Sequence, residues 1–407
     1  MILAEHAHSK HAADSYYIDN GLWTRGRNGI VFIALLSWIA SIAGFISNPN
    51  RFFESYLMGF LFCLTIPLGA TFFVMIQYLT GSAWSVPMRR IAENLMVTIP
   101  VGAVLFIPIL FGLNHLYEWT HADWIKTESL MGTAGKTGYL NPQWFMIRTA
   151  IFFFLWTLWT SRIYSHSTRQ DKDGSIEHMH SISRWSAPGL LMLMLSVTLA
   201  SFDWDMSLNP HWYSTIFGLY VFAGGGLAFI ATWILICMAL RSKGVLKNTI
   251  NVEHYHDLGK WLFAMTVFWA YISFSQYLLI WYGNLPEETI WYRFRFENSW
   301  TAWSWVLLFG HFIIPFLVLV VRASKRNFKV LTGMAIWIIC AHFVDIYWQV
   351  MPTFHHAEGV TFHWLDITCI LAIGSIFALV FWFKVKRNAL LPIGDPRFEQ
   401  GLEFENA

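Results

Sequence analysis

Ten runs of mostly apolar residues, each long enough to cross a bilayer, leave little of this chain for anything else. They fall at 29–47, 55–80, 92–114, 144–164, 186–203, 212–240, 259–282, 300–321, 330–350 and 364–383. A helical crossing takes about 20 such residues. The runs are continuous rather than alternating, which predicts helices and argues against a barrel. Only 13% of the 407 residues are charged and 56% are apolar, against about 25% charged in a soluble domain. The expected fold class is therefore an all-α integral membrane protein of about ten transmembrane helices. No nucleic-acid partner is expected, and lipid surrounds the chain.

The stretch before residue 29 has no apolar run and no small-residue cleavage site, so no cleaved signal peptide is expected. Cys63, Cys237, Cys340 and Cys369 all fall in predicted spans, with no CxxC or CxxCH pattern. Covalent haem or iron–sulfur ligation by this chain is not expected, nor is a metal site.

Ten spans place both termini on one side. Of the 27 Lys and Arg residues, 21 lie nearest that side, five lie nearest the other, and Arg148 sits within a span. This bias predicts cytoplasmic termini. The opposite, outer side then carries the connections 115–143, 204–211, 283–299 and 351–363, with tryptophans clustered at its helix ends.

A faint repeat links "NPNRFFESYLMGF", which opens span two, to "NPHWYSTIFGL", which opens span six. A shift of 159 residues aligns Phe53 with Trp212, Ser55 with Ser214 and Gly59 with Gly218. A four-span period predicts parallel repeats related by an axis along the membrane normal.

Ionisable groups at membrane depth are costly, on the order of 2.5–3.5 kcal/mol each on insertion scales, and need partners. Here they are His311 in span eight, His342 and Asp345 three apart in span nine, and His363 and Asp366 three apart at the outer start of span ten. Arg148, Asp203 and Asp205 lie at the outer ends of spans four and five, and Glu93 at the inner start of span three. Residues three apart share a helix face. Most of these groups lie in the outer half, as a proton relay or a quinone-head site requires. Asp203, His311, His342, Asp345, His363 and Asp366 are the proton-pathway candidates. His115, Asp205 and Arg148 are candidates for quinone-side or partner contacts. A structural pairing of each acid with its neighbour is the competing reading, and bis-histidine haem ligation by His311 and His342 is another. In the outer turn "FDWDMSLNPHWYSTIFGLY" (202–220), Asn209 or Asp205 is expected to cap span six, with Pro210 in its first turn. Asp203 is expected to face the bundle interior as a functional acid, and Asp205 to be structural or to meet a partner.

The phrases "DWDMSLNPHWYSTIFGLYVFAGG" (203–225) and "FWAYISFSQYLLIWYGNLPEET" (268–289) resemble signatures of the polytopic subunits of bacterial alternative complex III, within the wider NrfD/PsrC-like membrane family. The resemblance extends over nearly the whole chain. Of the two paralogous subunits, C and F, the length and "SQYLLIWYGNLPEE" are most similar to F. The resemblance implies two four-helix bundles, 55–203 and 204–350. A tail at 1–28 and a flanking helix with its outer loop at 29–54 would come before them. A loop and flanking helix at 351–383 and a tail at 384–407 would follow.

The resemblance also implies a bacterial inner-membrane quinol:electron-acceptor (cytochrome c) oxidoreductase. In it this chain would supply scaffold, a proton route and some quinone contact. Its partners would be the C paralogue, an iron–sulfur subunit, multihaem cytochrome c subunits carrying haem c, and small membrane subunits. Quinol, or menaquinol, would be the ligand, with no cofactor held by this chain alone. The C paralogue's His and Asp constellation has its nearest counterpart by position in the loop bearing His115, Glu118, His121 and Asp123. A secondary transporter built from parallel repeats, or a purely structural membrane anchor, are the alternative readings.

Overall fold

The computed structural model describes residues 16–130 and 134–406, and these are helical throughout, without strands. Ten long helices follow one another: α1 (Asn20–Ser47), α2 (Pro49–Leu79), α3 (Val86–Phe111), α4 (Pro142–Asp173), α5 (Ile176–Trp204), α6 (Phe217–Ser242), α7 (Val252–Gly283), α8 (Trp300–Leu319), α9 (Phe328–His355) and α10 (Trp364–Arg387). Nine of them are long and apolar enough to cross a membrane. α4 is as long, but Arg148, Trp144, Trp156 and Trp159 lower the mean hydropathy of its apolar stretch. The expected tail at 1–28 lies outside the described residues up to residue 15; from Asn20 onward it is already α1.

The caps are those that the residue types favour. Asp19, Asn48, Asn141, Asn251 and Asn327 each accept a backbone N–H in the first turn of α1, α2, α4, α7 and α9. Pro100 and Pro108 break α3 into short pieces, because neither can donate to the helix ladder.

α2, α3, α4 and α5 pack in one ring; α6, α7, α8 and α9 pack in a second. α2 and α6, the helices of the aligned motifs, lie side by side between the rings and are the most buried of the spans. Small residues permit the contact. A Cβ on Gly69 would stand 2.8 Å from the Gly225 carbonyl oxygen, and one on Gly225 2.7 Å from Thr65 Cβ. Lipid supplies no hydrophobic drive between helices, so close backbone approach is what gives the packing its attraction. α10 packs along both α1 and α2. The outer face of α1, with Phe32, Ile39 and Ile46, stays exposed, as a lipid-facing helix requires.

Candidate functional site

The second ring has a polar centre. α8 contains one π-helical turn, Leu308–Ile313, and His311 lies within it. Such a turn re-aims its side chains relative to a regular helix and is frequent at functional sites. His311 is fully buried, its ring centroid 4.0 Å from that of Trp269 on α7. Its Nδ1 lies 3.9 Å from Asp345 Oδ2 on α9. Neither ring nitrogen of His311 has a hydrogen-bond partner among the described residues.

Asp345 is fully buried as well. The Tyr220 hydroxyl, from α6, donates to its Oδ1, and the Trp269 indole N–H donates to its Oδ2 at 3.0 Å. His342, one turn earlier on α9, places Nε2 3.1 Å from Thr65 Oγ1 on α2 and leaves Nδ1 unpartnered. Gly224 makes room for this pair: a Cβ there would stand 3.0 Å from Asp345 Oδ2 and 3.5 Å from the His342 ring. The cluster thus joins both rings of helices, through Thr65 on one side and Tyr220, Trp269 and His311 on the other. The His311 ring packs against Trp269, and the His342 ring against Phe62 and Thr65.

Beside it lies a cleft of about 430 Å³ between α7 and α8. Trp269 forms one wall, and Phe274, Tyr277, Tyr292, Trp305 and Trp348 form much of the rest, with Ser273 and Ser304 as polar points. The indole of Trp269 therefore separates the cleft from Asp345 while donating to it.

The other candidates are placed elsewhere. Asp203 is held by Arg148 in a two-pronged ion pair, Nε to Oδ2 at 2.7 Å and Nη2 to Oδ1 at 3.0 Å, with Tyr139 stacked on the guanidinium at 3.8 Å. Asp203, expected to face the bundle interior as a functional acid, is buried there, and the guanidinium fork fixes the position of its carboxyl. Around it the first ring is filled with aromatic rings, Phe153 stacked on Trp204 at 5.7 Å and Trp156 edge-on to Trp204 at 5.8 Å.

Asp366 accepts from Arg51 Nη2 and from Ser55 Oγ, both at 2.6 Å. It also accepts the backbone N–H of His363 at 2.8 Å, which caps α10. Burial among neighbours that include Arg51 pushes His363 below its ordinary value, disfavouring the charged imidazole. Arg51 continues to His355, 2.8 Å away, and His355 in turn lies 2.8 Å from Glu54. These groups form an outer network separate from the central one.

The 202–220 turn also differs from expectation. α6 begins at Phe217, seven residues beyond Pro210. Asp205 terminates α5 rather than opening α6, and Met206–Leu208 makes a 3-10 turn. Asn209 does not cap α6; its side-chain amide nitrogen is buried without a partner among the described residues. Asp205 is buried within electrostatic range of Arg295 and Asp345 but makes no ion pair within 4 Å among the described residues. Arg295, read from sequence as an outer loop charge, is fully buried. It donates to the carbonyls of Trp348, Trp291 and Gln349 and stacks 3.3 Å from the Trp291 ring. His115 stacks on Phe53 at 5.0 Å and bonds Asn50, while His121 bonds Asn114 in the same exposed loop.

Sequence reading missed a third buried network, at the end of the bundle where α3 begins. Arg90 pairs with Glu93 at 2.8 Å and with Asp171 at 2.6 Å, and Arg89 pairs with Asp395. The signal was present: two adjacent arginines followed three and four residues later by a glutamate at the head of an apolar run. The described residues after α10 strap across this face, with the Asn388 amide donating to Tyr164, Asp395 on Arg89, and the Gly401 carbonyl 2.9 Å from His254 Nε2. No protein-family model and no curated protein matches the chain.

Proposed function

We propose that this chain is an NrfD/PsrC-like membrane subunit of a bacterial inner-membrane quinol-oxidising complex, of the alternative complex III type and most like its F subunit. Its two rings of helices correspond to the two four-helix bundles of that family, with α1 and α10 flanking and both termini cytoplasmic. Its role is to move protons through the second ring beside a quinone-accommodating cleft. Electrons leave through haem c and iron–sulfur subunits that dock on the outer face.

One observation carries the reading. Asp203, Asp366 and Glu93 are each locked to an arginine, whereas among the described residues Asp345 has no arginine or lysine within 4 Å and has the partnerless Nδ1 of His311 3.9 Å away. A carboxyl of this kind gains or loses a proton without breaking a fixed ion pair. Quinol oxidation releases two protons with two electrons. The aromatic cleft suits a planar head group, Ser273, Ser304 and Tyr277 can orient its oxygens, and Trp269 couples the cleft wall to Asp345. Asp345, His311 and His342 then pass the protons between the two rings.

Purification of the native complex tests this. Co-isolation with haem c and iron–sulfur subunits, and loss of quinol-driven proton release in Asp345→Asn, are expected. Solute uptake by the lone chain in vesicles, unchanged by Asp345→Asn, would replace the reading with a transporter.

A further inference from the structure

The inner ends of α6 and α9 enclose an open groove of about 1050 Å³, lined by none of the residues of the cluster and cleft described above. Its floor is apolar, formed by Leu235, Met238 and Ile336, and its rim is cationic, formed by Arg241, Lys247 and Lys329. No acidic side chain lines it. Arg241 is fixed in place. Its Nη1 donates to the carbonyls of Lys247 at 2.6 Å and Ile250 at 3.1 Å, and the guanidinium stacks on Phe328 at 4.5 Å. A guanidinium has five N–H donors; those on Nη2 and Nε make no hydrogen bond among the described residues and are left for a ligand. Gly244, with φ +79°, turns the chain so that Lys247 comes back to the rim. The Lys247 and Lys329 side chains are exposed and make no ion pair among the described residues.

We propose that this groove binds one anionic phospholipid, its phosphate between Arg241, Lys247 and Lys329 and the start of an acyl chain along Leu235, Met238 and Ile336. The position selects the occupant. The groove straddles the ends of two membrane-length helices, where hydrocarbon gives way to head groups. Basic pockets between spans at such a level recruit anionic lipid head groups. A free inorganic anion would gain nothing from the apolar floor. A zwitterionic head group would bring a cation into a rim that offers no acid to receive it. The inference stands apart from the proton-transfer reading and survives its failure.

The test uses the full chain purified in a neutral detergent, with retained lipid read by native mass spectrometry. Dioleoyl phosphatidylglycerol is titrated against dioleoyl phosphatidylcholine and against inorganic phosphate. One phosphatidylglycerol is expected to be held at least tenfold more tightly than phosphatidylcholine. The double variant Lys247→Gln/Lys329→Gln is expected to weaken that binding by roughly ten- to thirtyfold, at about a few-fold per surface charge. It should leave the melting temperature in phosphatidylcholine unchanged. Arg169→Gln/Arg322→Gln, which removes two exposed charges outside the groove, is expected to leave phosphatidylglycerol binding intact. Equal retention of the two lipids, equal losses in the two double variants, or displacement of the lipid by inorganic phosphate would each overturn the proposal.

Discussion

Nδ1 of His311 stands 3.9 Å from Oδ2 of Asp345, while Tyr220 and Trp269 hold the same carboxyl from α6 and α7. The gap is too long for a hydrogen bond and short enough to close with a turn of the imidazole. The π-helical turn sets it: in a regular helix the ring would project in another direction.

Removing the transferable proton at this point is the most direct perturbation. Asp345→Asn keeps the shape; its single amide oxygen can still accept from the Trp269 indole, and the Tyr220 hydroxyl, which can turn, then accepts from the new amide N–H. Quinol-driven proton release by the assembled complex should fall by about a hundredfold or more, the usual weight of a positioned acid–base group, while the complex still assembles. Rates measured with a pH-sensitive dye, alongside subunit stoichiometry, check both halves.

Gly224→Ala should mimic that loss without replacing a titratable group. The added methyl would stand 3.0 Å from Asp345 Oδ2 and must displace the carboxyl or His342. Gly225→Ala meets Thr65 instead, at 2.7 Å, and forces α2 and α6 apart. The first variant is expected to lose activity while keeping its melting temperature. The second should lose stability, by about 1–3 kcal/mol for overpacking, seen as a lower melting temperature in detergent.

Asp203 behaves differently in this structure. Breaking its pair with Arg148→Met leaves a buried, uncompensated carboxylate and should cost about 3–5 kcal/mol. Replacing both partners, Arg148→Met with Asp203→Leu, should recover most of that stability and leave proton release near the parent rate. A double variant that stays folded but fails to release protons would return Asp203 to the functional set.

The inner strap responds to acid. Burial alone would raise the Asp395 carboxyl, but the guanidinium groups of Arg89 and Arg397 beside it bring it below its ordinary value of 3.8. A depressed folded value means that the strap's stabilisation is fully present above about 3.8 and is lost as pH falls through the folded value. Protease cleavage near Phe398–Leu402 should therefore accelerate only at strongly acidic pH in the parent. In Asp395→Asn it should be fast at neutral pH as well.

The spans were legible because bilayer thickness imposes a length that no other constraint mimics. That His342 and Asp345 share a helix face was legible from their spacing; that His311, and not Asp203, His363 or Asp366, lies beside them was not. The identity of their neighbours was not. Tyr220, Trp269 and Thr65 read as ordinary aromatic and small residues of apolar helices, and only the packing of α2, α6 and α7 brings them to the cluster. Asp203 and Asp366 looked equivalent to Asp345 in sequence. What separates them is an arginine on another helix, Arg148 from 55 residues away and Arg51 from 315. Pairing over such distances leaves no local pattern. The π-helical turn was equally hidden, since Leu308–Ile313 carries no residue that demands it.

The strap that ties Asp395 to Arg89 and Gly401 to His254 follows α10 in the chain. A ribosome must therefore complete every membrane crossing before these clasps can close. Until then Arg89 has only Glu93, which it shares with Arg90, and this end of the bundle is an unfinished seam, open to quality-control proteases that the closed strap would shut out.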